Sequence, residues 1–258
     1  MDSTRTTSTV DWCEDNYAYT TYIAEFWNTL SSLVLTYAGC VGFAAHRNFT
    51  GSTVFLWLAI VGAGSVCFHG FLTAETQMLD EIPMIFMVVQ LAINIFRVTG
   101  VPKRIFAYII GTIFACIIMK TAFLQDGKSL ELDKTSGPRK VEFYIFQSAI
   151  VLTGVGIFKQ LVKNSMKQRN TRKLFKKGCG IFLIGWGCWL TDYFMCSTLQ
   201  QSWNPQLHAW WHVFSAIGVY NLSLLSLLFA NPQLHFSWGE LGSKIPVVFG
   251  RFVIEKRL

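Results

Sequence analysis

Charge is what this sequence has least of. Charged side chains make up 14% of the 258 residues, whereas soluble domains carry about 25%. This deficit disfavours an ordinary cytosolic enzyme. Apolar residues supply 52% of the chain, the mean hydropathy is +0.39, and 22 Phe and 9 Trp suit a surface that faces hydrocarbon and its interfaces. The composition indicates a polytopic membrane protein.

A cleavable signal peptide is also missing. Residues 1–25 contain no apolar core and carry several acidic residues, so we expect them to stay attached as a polar arm ahead of the first span. The chain likewise shows no internal repeat, heptad pattern or low-complexity tract. Because many secondary transporters show paired repeats or broken helices near the midplane, these absences disfavour a transporter.

Seven apolar runs are candidate membrane spans, since crossing the hydrocarbon core takes about 20 residues of helix. They lie at 26–45, 54–72, 82–96, 105–124, 143–162, 178–196 and 207–230. The sequence therefore predicts an all-α polytopic membrane protein, a seven-transmembrane helix bundle. Around the bundle at 26–230 we expect an N-terminal arm at 1–25 and a C-terminal tail at 231–258.

Positive charge is distributed unevenly across the predicted membrane. Of the 22 Lys and Arg, 6 fall on the side of the N-terminus and 16 on the side of the C-terminus. Because basic residues accumulate in cytosolic loops, we expect a luminal N-terminus and a cytosolic C-terminus. The basic loop 163–177 is then a topology determinant that can touch anionic lipid. The net charge of +7 does not indicate nucleic-acid binding.

Three of the five His residues converge on one membrane level. His69 lies near the luminal end of the second span, and His208 and His212 lie at the luminal start of the seventh. The latter two are spaced i and i+4, so both rings project from one helix face, as in helical zinc sites. A third His from another helix completes three ligands and leaves a fourth position for water, as in catalytic zinc sites. For His69 alone, a helix-packing hydrogen bond is the alternative.

Candidate catalytic groups flank these His residues. Ser65 precedes His69 by four residues and shares its helix face, so its hydroxyl could hydrogen-bond a developing oxyanion. The segment H-A-W-W-H lacks the Glu of H-E-x-x-H, and Asp80 at the luminal start of span three is the candidate general base. Glu81 is a rival, and either carboxylate could instead complement the helix dipole. Asp192, inside span six, either supports the site or makes an interhelical hydrogen bond.

Oxygen-bearing side chains gather in the N-terminal arm. The segment D-W-C-E-D-N at 11–16 carries Asp11, Glu14, Asp15 and Asn16, and Glu25 directly precedes the first span. Hard oxygen ligands suit Ca²⁺, but the glycine and the terminal Glu of an EF-hand loop are absent. From spacing alone, a solvated acidic turn is the better interpretation.

Two of the seven Cys residues differ from the others in position. Five lie inside spans and read as small apolar packing residues. Cys13 and Cys196 lie at luminal ends, where an oxidising compartment permits a disulfide. Such a bridge would tie the arm to span six, although sequence does not reveal the separation of the two residues.

Several segments together resemble one family, the alkaline ceramidases. These are seven-span intramembrane amidases of the superfamily that includes the adiponectin and progestin receptors. The matching segments are V-D-W-C-E-D-N at 10–16, Y-I-A-E-F-W-N-T at 22–29, S-V-C-F-H at 65–69, Q-M-L-D-E-I-P-M at 77–84, D-Y-F-M-C at 192–196 and Q-L-H-A-W-W-H at 206–212. The arm segments are the more specific to ceramidases. The loop 125–140 and the tail after 231 match no pattern of the family.

The resemblance implies a set of roles for named residues. Zinc is held by His69, His208 and His212, with Ser65 and Asp80 as catalytic companions. A calcium site, which replaces the solvated-turn interpretation, is built from Asp11, the main-chain carbonyl of Trp12, Glu14, Asn16 and Glu25. A disulfide joins Cys13 to Cys196.

The resemblance also implies a function, the hydrolysis of ceramide to a sphingoid base and a free fatty acid within the membrane. The alternative is a seven-span lipid receptor of the same superfamily, which would share the three His residues. The arm segment favours the enzyme. We expect an integral protein of the endoplasmic reticulum or Golgi; a plasma-membrane protein would have the same orientation. Acyl-chain preference and oligomeric state are not readable from the sequence.

Overall fold

The computed structural model describes residues 8–99, 138–166, 169–201 and 203–231. Within these ranges the regular structure is entirely helical, which confirms the predicted all-α class. The six helices are α1 (Phe26–His46), α2 (Thr53–Phe71), α3 (Ala74–Thr99), α4 (Pro138–Ser165), α5 (Arg169–Gln201) and α6 (Leu207–Ala230).

Five of these helices are long and apolar enough to cross a membrane, namely α1, α2, α3, α5 and α6. The fifth predicted span, 143–162, lies within the 28-residue helix α4, which is not among the five. The fourth predicted span at 105–124 falls outside the described residues, as do the loop up to 137 and the tail after 231. The count of seven spans and the orientation of the termini therefore stay predictions.

Helix α6 is the centre of the bundle. Of its most apolar stretch, 72% is buried inside the protein, compared with 11% for α5. It packs against α1, α3 and α5, while α1, α2 and α3 pack in chain order. A helix that is apolar on every side is normally a buried one. Side chains such as Leu58, Tyr220 and Leu224 form the main apolar core of the described helices.

Close approach between the first three helices depends on glycine. A Cβ atom at Gly39 of α1 would lie 2.2 Å from the main-chain nitrogen of Ala59 in α2. A Cβ atom at Gly64 of α2 would lie 2.0 Å from the carbonyl oxygen of Leu79 and 2.9 Å from the nitrogen of Asp80. Small residues let helix backbones pack this tightly in membranes. As a result, Asp80 is held against the turn of α2 that carries the glycine.

The third helix begins earlier than its apolar run indicated. Hydropathy placed its start near residue 82, but α3 begins at Ala74. Thr73 Oγ1 accepts a hydrogen bond from Thr76 N at 3.3 Å, and Thr76 Oγ1 accepts one from Thr73 N at 3.1 Å. Such reciprocal bonding starts a helix whether or not its first turns are apolar. Asp80 consequently lies within the helix, in its second turn, and not at its start.

The N-terminal arm lies across the end of the bundle. Ser8 N donates to Leu72 O at 3.1 Å, Thr9 N donates to Gln77 Oε1 at 2.8 Å, and Ala24 N donates to Gly70 O at 3.0 Å. Val10 and Trp12 of the arm form a small apolar cluster with Phe68 of α2. The arm is therefore fixed to the ends of α2 and α3, next to the predicted metal ligands.

Candidate metal centre

Three buried His residues meet where α2 and α6 approach the arm. His69, near the C-terminus of α2, and His208 and His212, in the first turns of α6, are each at most 4% exposed. Their ligand nitrogens all lie within 4.8 Å of one another. Among the described residues, no other group of three or more His, Cys, Asp or Glu side chains is close enough to hold a metal ion. The spacing of i and i+4 turns both α6 rings to the same side. The three His residues are therefore brought together around one point.

The ring of His69 is oriented by a carboxylate from the arm. Its Nδ1 lies 2.5 Å from Oε2 of Glu25, which is fully buried. The same carboxylate accepts hydrogen bonds from Trp12 N at 3.1 Å and from Asn28 Nδ2 at 3.0 Å. A carboxylate on the outer nitrogen of a metal-binding His fixes the ring orientation and raises its basicity. It leaves Nε2 of His69 as the nitrogen for an ion.

The ring of His212 contacts two serines of α1. Its Nδ1 lies 2.8 Å from Ser31 Oγ and 3.3 Å from Ser32 Oγ. Ser32 Oγ also donates to Ser65 Oγ at 3.0 Å. Helix α1 thus supplies polar groups to a metal ligand and to the candidate catalytic serine. Nε2 of His212 is again the nitrogen that remains for an ion.

The ring of His208 is held by stacking. It lies face to face with Trp12, with 3.8 Å between ring centroids and 26° between planes. Its main-chain nitrogen donates to Oδ1 of Asp192 at 3.2 Å, and the other oxygen of Asp192 accepts from Cys13 N at 3.1 Å. Asp192 therefore joins α6 to the arm through two main-chain groups, which combines both interpretations of this residue.

The donor set fits a metal ion. Nδ1 of His208 is buried and has no hydrogen-bond partner among the described residues, whereas buried polar atoms in proteins are normally bonded. Three imidazole nitrogens from two helices match the protein ligands of a catalytic zinc ion, with a further position open. Coordination would use the nitrogens that hydrogen bonding does not. The residues present therefore suit a soft-to-borderline divalent metal.

The candidate catalytic groups lie on the neighbouring helices α2 and α3. Ser65 is one turn before His69 on α2 and is 2% exposed, and Asp80 is 6% exposed on α3. The glycine contact between α2 and α3 places the main chain of Asp80 against Gly64, the neighbour of Ser65. Glu81, the rival carboxylate, accepts a hydrogen bond from Gln77 Nε2 at 2.6 Å. Because Gln77 also binds the arm, Glu81 is engaged in holding the arm.

The oxygen atoms of the arm that could bind a cation fall into two groups, one at Asp11 and Asn16 and one at Glu14. Asp11 Oδ1 accepts from Asn16 Nδ2 at 3.0 Å. Glu14 accepts from the main-chain nitrogens of Trp27 and Asn28 at 2.7 and 2.9 Å, so it caps the start of α1. The main chain of Trp12 runs between these groups and donates to Glu25. The acidic segment is therefore folded against α1 and is not simply a solvated turn.

Burial affects the ionisation of two carboxylates outside the membrane spans. It raises the pKa of Glu25 to about 7, and it raises the pKa of Glu14 above its ordinary value, with a further contribution from the negative charge of Glu25. Both groups are more stable as anions beside a cation. Asn16 Oδ1, which is buried without a hydrogen-bond partner in the part of the chain that the structure describes, adds another ligand oxygen. These oxygens have the chemistry that Ca²⁺ prefers.

A disulfide links the arm to α5. Cys13 and Cys196, the pair that the resemblance implied, are bonded, with their Cα atoms 5.2 Å apart and a sequence separation of 183. Helix α5 is kinked at Met195, directly before the second Cys. Asn204 Nδ2 donates to Cys13 O at 2.7 Å. The bridge therefore fixes Cys13, the residue directly after Trp12 in the arm.

Sequence reasoning did not identify five contributors to the site. It did not assign a role to Ser31, Ser32 and Asn28, to the contact of Glu25 with His69, or to the aromatic face of Trp12. A signal was available for the first group, because polar residues inside a membrane span are costly and usually functional. Spacing within one segment gives no signal for contacts between residues far apart in the chain.

Comparison with known proteins identifies relatives of this chain. The model of the family described as Ceramidase matches residues 4–243. Alkaline ceramidase 3 of Mus musculus is 28% identical over 253 residues, covering 91% of this chain and 90% of the relative. Alkaline ceramidase of Arabidopsis thaliana is 30% identical over 226 residues, covering 83% and 80%. Alkaline ceramidase YPC1 of Saccharomyces cerevisiae is 27% identical over 242 residues, covering 83% and 74%.

Proposed function

This chain belongs to the ceramidase family, and from that premise we propose that it hydrolyses the N-acyl amide bond of ceramide. The products are a sphingoid base and a free fatty acid. The observation that carries the proposal is the buried cluster of His69, His208 and His212, whose ligand nitrogens lie within 4.8 Å of one another. A serine hydroxyl and a carboxylate on the neighbouring helices supply the remaining groups that amide hydrolysis needs.

Zinc is the proposed ion of the three His residues. Three His ligands with an open position are characteristic of catalytic zinc sites. When bound, zinc supplies Lewis-acid chemistry: it lowers the pKa of water to about 7 and polarises a carbonyl group. The chain contributes the ligand orientation, through Glu25 on His69 and Ser31 on His212. Both contacts keep the rings in place before substrate arrives.

Asp80 and Ser65 are the proposed catalytic residues. Asp80 takes a proton from the attacking water and returns it to the departing amine, a role worth about 10²–10⁴ in rate. Ser65 donates a hydrogen bond to the oxyanion that forms on the amide carbonyl, and loss of such a donor costs about 10²–10³ in kcat. Both side chains are buried, which shields the proton transfer from bulk solvent.

A second ion, calcium, is proposed for the arm. Its ligands would be the five groups named above: Asp11, the carbonyl of Trp12, Glu14, Asn16 and Glu25. Glu25 is the shared element, because it contacts both the arm main chain and His69. Removal of calcium should therefore lower turnover while zinc stays bound.

The membrane explains where substrate comes from. Ceramide is held in the bilayer by its two hydrocarbon chains, and an enzyme among membrane-spanning helices can take it in laterally. We propose an endomembrane location, endoplasmic reticulum or Golgi, with the arm in the lumen. In sealed microsomes, added protease should digest a tag at Leu258 and leave a tag at Met1 intact. The reverse pattern would contradict the orientation.

The test is hydrolysis by the purified protein. Release of fatty acid from dihydro-, unsaturated and phytoceramides is measured in detergent, with zinc content determined on the same samples. We expect turnover by the wild type, and loss of both zinc and turnover in His212→Ala. Trp210→Ala is the matched control, because Trp210 lies on the same helix but is 51% exposed. Zinc in the wild type without hydrolysis of any of these ceramides would favour the receptor alternative.

A further inference from the structure

Helix α1 carries a buried polar group next to the candidate catalytic serine. Ser32 is 0% exposed, and its Oγ donates to Ser65 Oγ at 3.0 Å and lies 3.3 Å from His212 Nδ1. Ser31 approaches the same His212 nitrogen more closely, at 2.8 Å. Both hydroxyls also lie within hydrogen-bond distance of the carbonyl oxygen of Asn28, at 2.7 Å for Ser32 and 3.1 Å for Ser31. The two serines therefore share two partners, and Ser32 alone of the pair reaches Ser65.

The number of protons decides how these contacts are used. Each hydroxyl has one proton to donate, and a carbonyl oxygen can only accept. If Nε2 of His212 binds an ion, Nδ1 carries a proton and donates to Ser31, its nearer partner. Ser31 then donates to Asn28 O. Because that carbonyl already has a hydroxyl donor, Ser32 can direct its proton to Ser65 without leaving the carbonyl unbonded.

The consequence concerns the direction of the Ser65 hydroxyl. An oxygen that accepts a hydrogen bond from Ser32 must point its own proton elsewhere, and a hydroxyl that accepts becomes a better donor. We propose that Ser32 is a positioning residue that aims the Ser65 proton towards the reacting carbonyl, an inference that rests on the proposed amide hydrolysis. Ser31 acts on the same site in a different way, through the ring of His212.

The experiment separates these two roles. Ser32→Ala and Ser31→Ala are compared for kcat, KM, zinc content and the absorption spectrum of the cobalt-substituted protein. We expect Ser32→Ala to lower kcat about tenfold, a fraction of the loss for removing an oxyanion donor, with KM, zinc content and cobalt spectrum unchanged. Ser31→Ala should instead alter the cobalt spectrum and weaken metal binding. A change of the cobalt spectrum in Ser32→Ala equal to that in Ser31→Ala would overturn the proposal, as would an unchanged kcat.

A double-mutant cycle tests the link to Ser65 directly. If Ser32 acts through Ser65, Ser32→Ala should cause no further loss of kcat in a Ser65→Ala background. Additive losses would mean that Ser32 works by another route. The same cycle on the melting temperature of zinc-free protein needs no turnover, and there too the two losses should be less than additive. Absence of hydrolysis by the wild type would reject the proposed function, whereas the thermal cycle would still report on the contact.

Two further variants keep the result interpretable. Leu33→Ala changes a residue of the same helix that is 49% exposed, and it should behave as wild type in every assay. If Ser32→Ala does not fold, Ser32→Cys keeps the volume of the side chain and offers a much weaker donor. Ser32→Cys should show the same loss of kcat with unchanged metal binding; full activity in this variant would contradict the role of the hydroxyl.

Discussion

The contact between Glu25 and His69 leads to a sharp prediction for Glu25→Gln. The carboxylate receives three donors: Trp12 N on one oxygen, and Asn28 Nδ2 and His69 Nδ1 on the other. A glutamine has one oxygen and one NH₂ group. In either orientation of the amide, at least one of these donors faces the NH₂ group and stays unpaired. The substitution therefore preserves shape and removes hydrogen bonding at a fully buried position.

Two magnitudes follow from this geometry. Each buried donor left without a partner costs about 1–3 kcal/mol of stability, so the melting temperature of the zinc-free protein should fall. Loss of the carboxylate that orients a metal-binding His weakens metal affinity by about 10–100-fold, which corresponds to about 1.4–2.7 kcal/mol. Turnover at limiting zinc should decrease by the same factor and recover in part when zinc is in excess.

The assay is competition for zinc between the purified protein and a chelator of known affinity. Glu75→Gln is the matched control, because Glu75 is an exposed acidic residue in the first turn of α3. It should leave zinc affinity and melting temperature unchanged. Zinc affinity in Glu25→Gln within twofold of the wild type would refute the claim that this carboxylate orients His69.

Two other predictions concern packing and the arm. Gly64→Ala forces α2 and α3 apart at Asp80, at a cost of about 1–3 kcal/mol of stability. It should lower kcat strongly while zinc stays bound. The control is Gly187→Ala, which should fold and turn over normally because a Cβ there meets no described atom within 4 Å. Equal activity of the two variants would contradict the close-approach argument. Cys196→Ser removes a cross-link between positions 183 apart. It should lower the free energy of unfolding by up to about 5 kcal/mol in the chain-entropy treatment, and the melting temperature with it. Cys188→Ser changes a thiol that is free among the described residues and should not lower either; indistinguishable melting of the two variants would count against the bridge.

The composition and hydropathy of the chain were sufficient for the helical class and for the bounds of three of the six described helices. Helices α1, α2 and α6 begin and end within one residue of their predicted spans. The reason is physical: in a bilayer every main-chain polar group must be bonded within the helix, so apolar length alone indicates a span. The start of α3 was missed because a threonine cap and an i to i+4 bond between Gln77 and Glu81 extend that helix into polar sequence.

The identity of the three His residues was also readable from the sequence. The i and i+4 spacing of His208 and His212 is a local property of one helix, and the predicted position of His69 at the same membrane level added the third ligand, as the family resemblance also implied. The tertiary structure alone decided what surrounds them. Glu25 meets His69 across 44 residues and Ser31 meets His212 across 181. Such contacts depend on which faces of α1, α2 and α6 pack together, and spacing along one segment does not encode that.

Residue types and their spacing thus determined which side chains could bind a metal and which helices would carry them. Helix packing decided the direction of each ring and hydroxyl: a carboxylate behind His69, two serines behind His212 and an indole face on His208. The physical reason is the distance along the chain over which each interaction acts. Apolar periodicity and ligand spacing act within a few turns of one helix, whereas the hydrogen bonds that orient the ligands form only after distant helices have packed and excluded water.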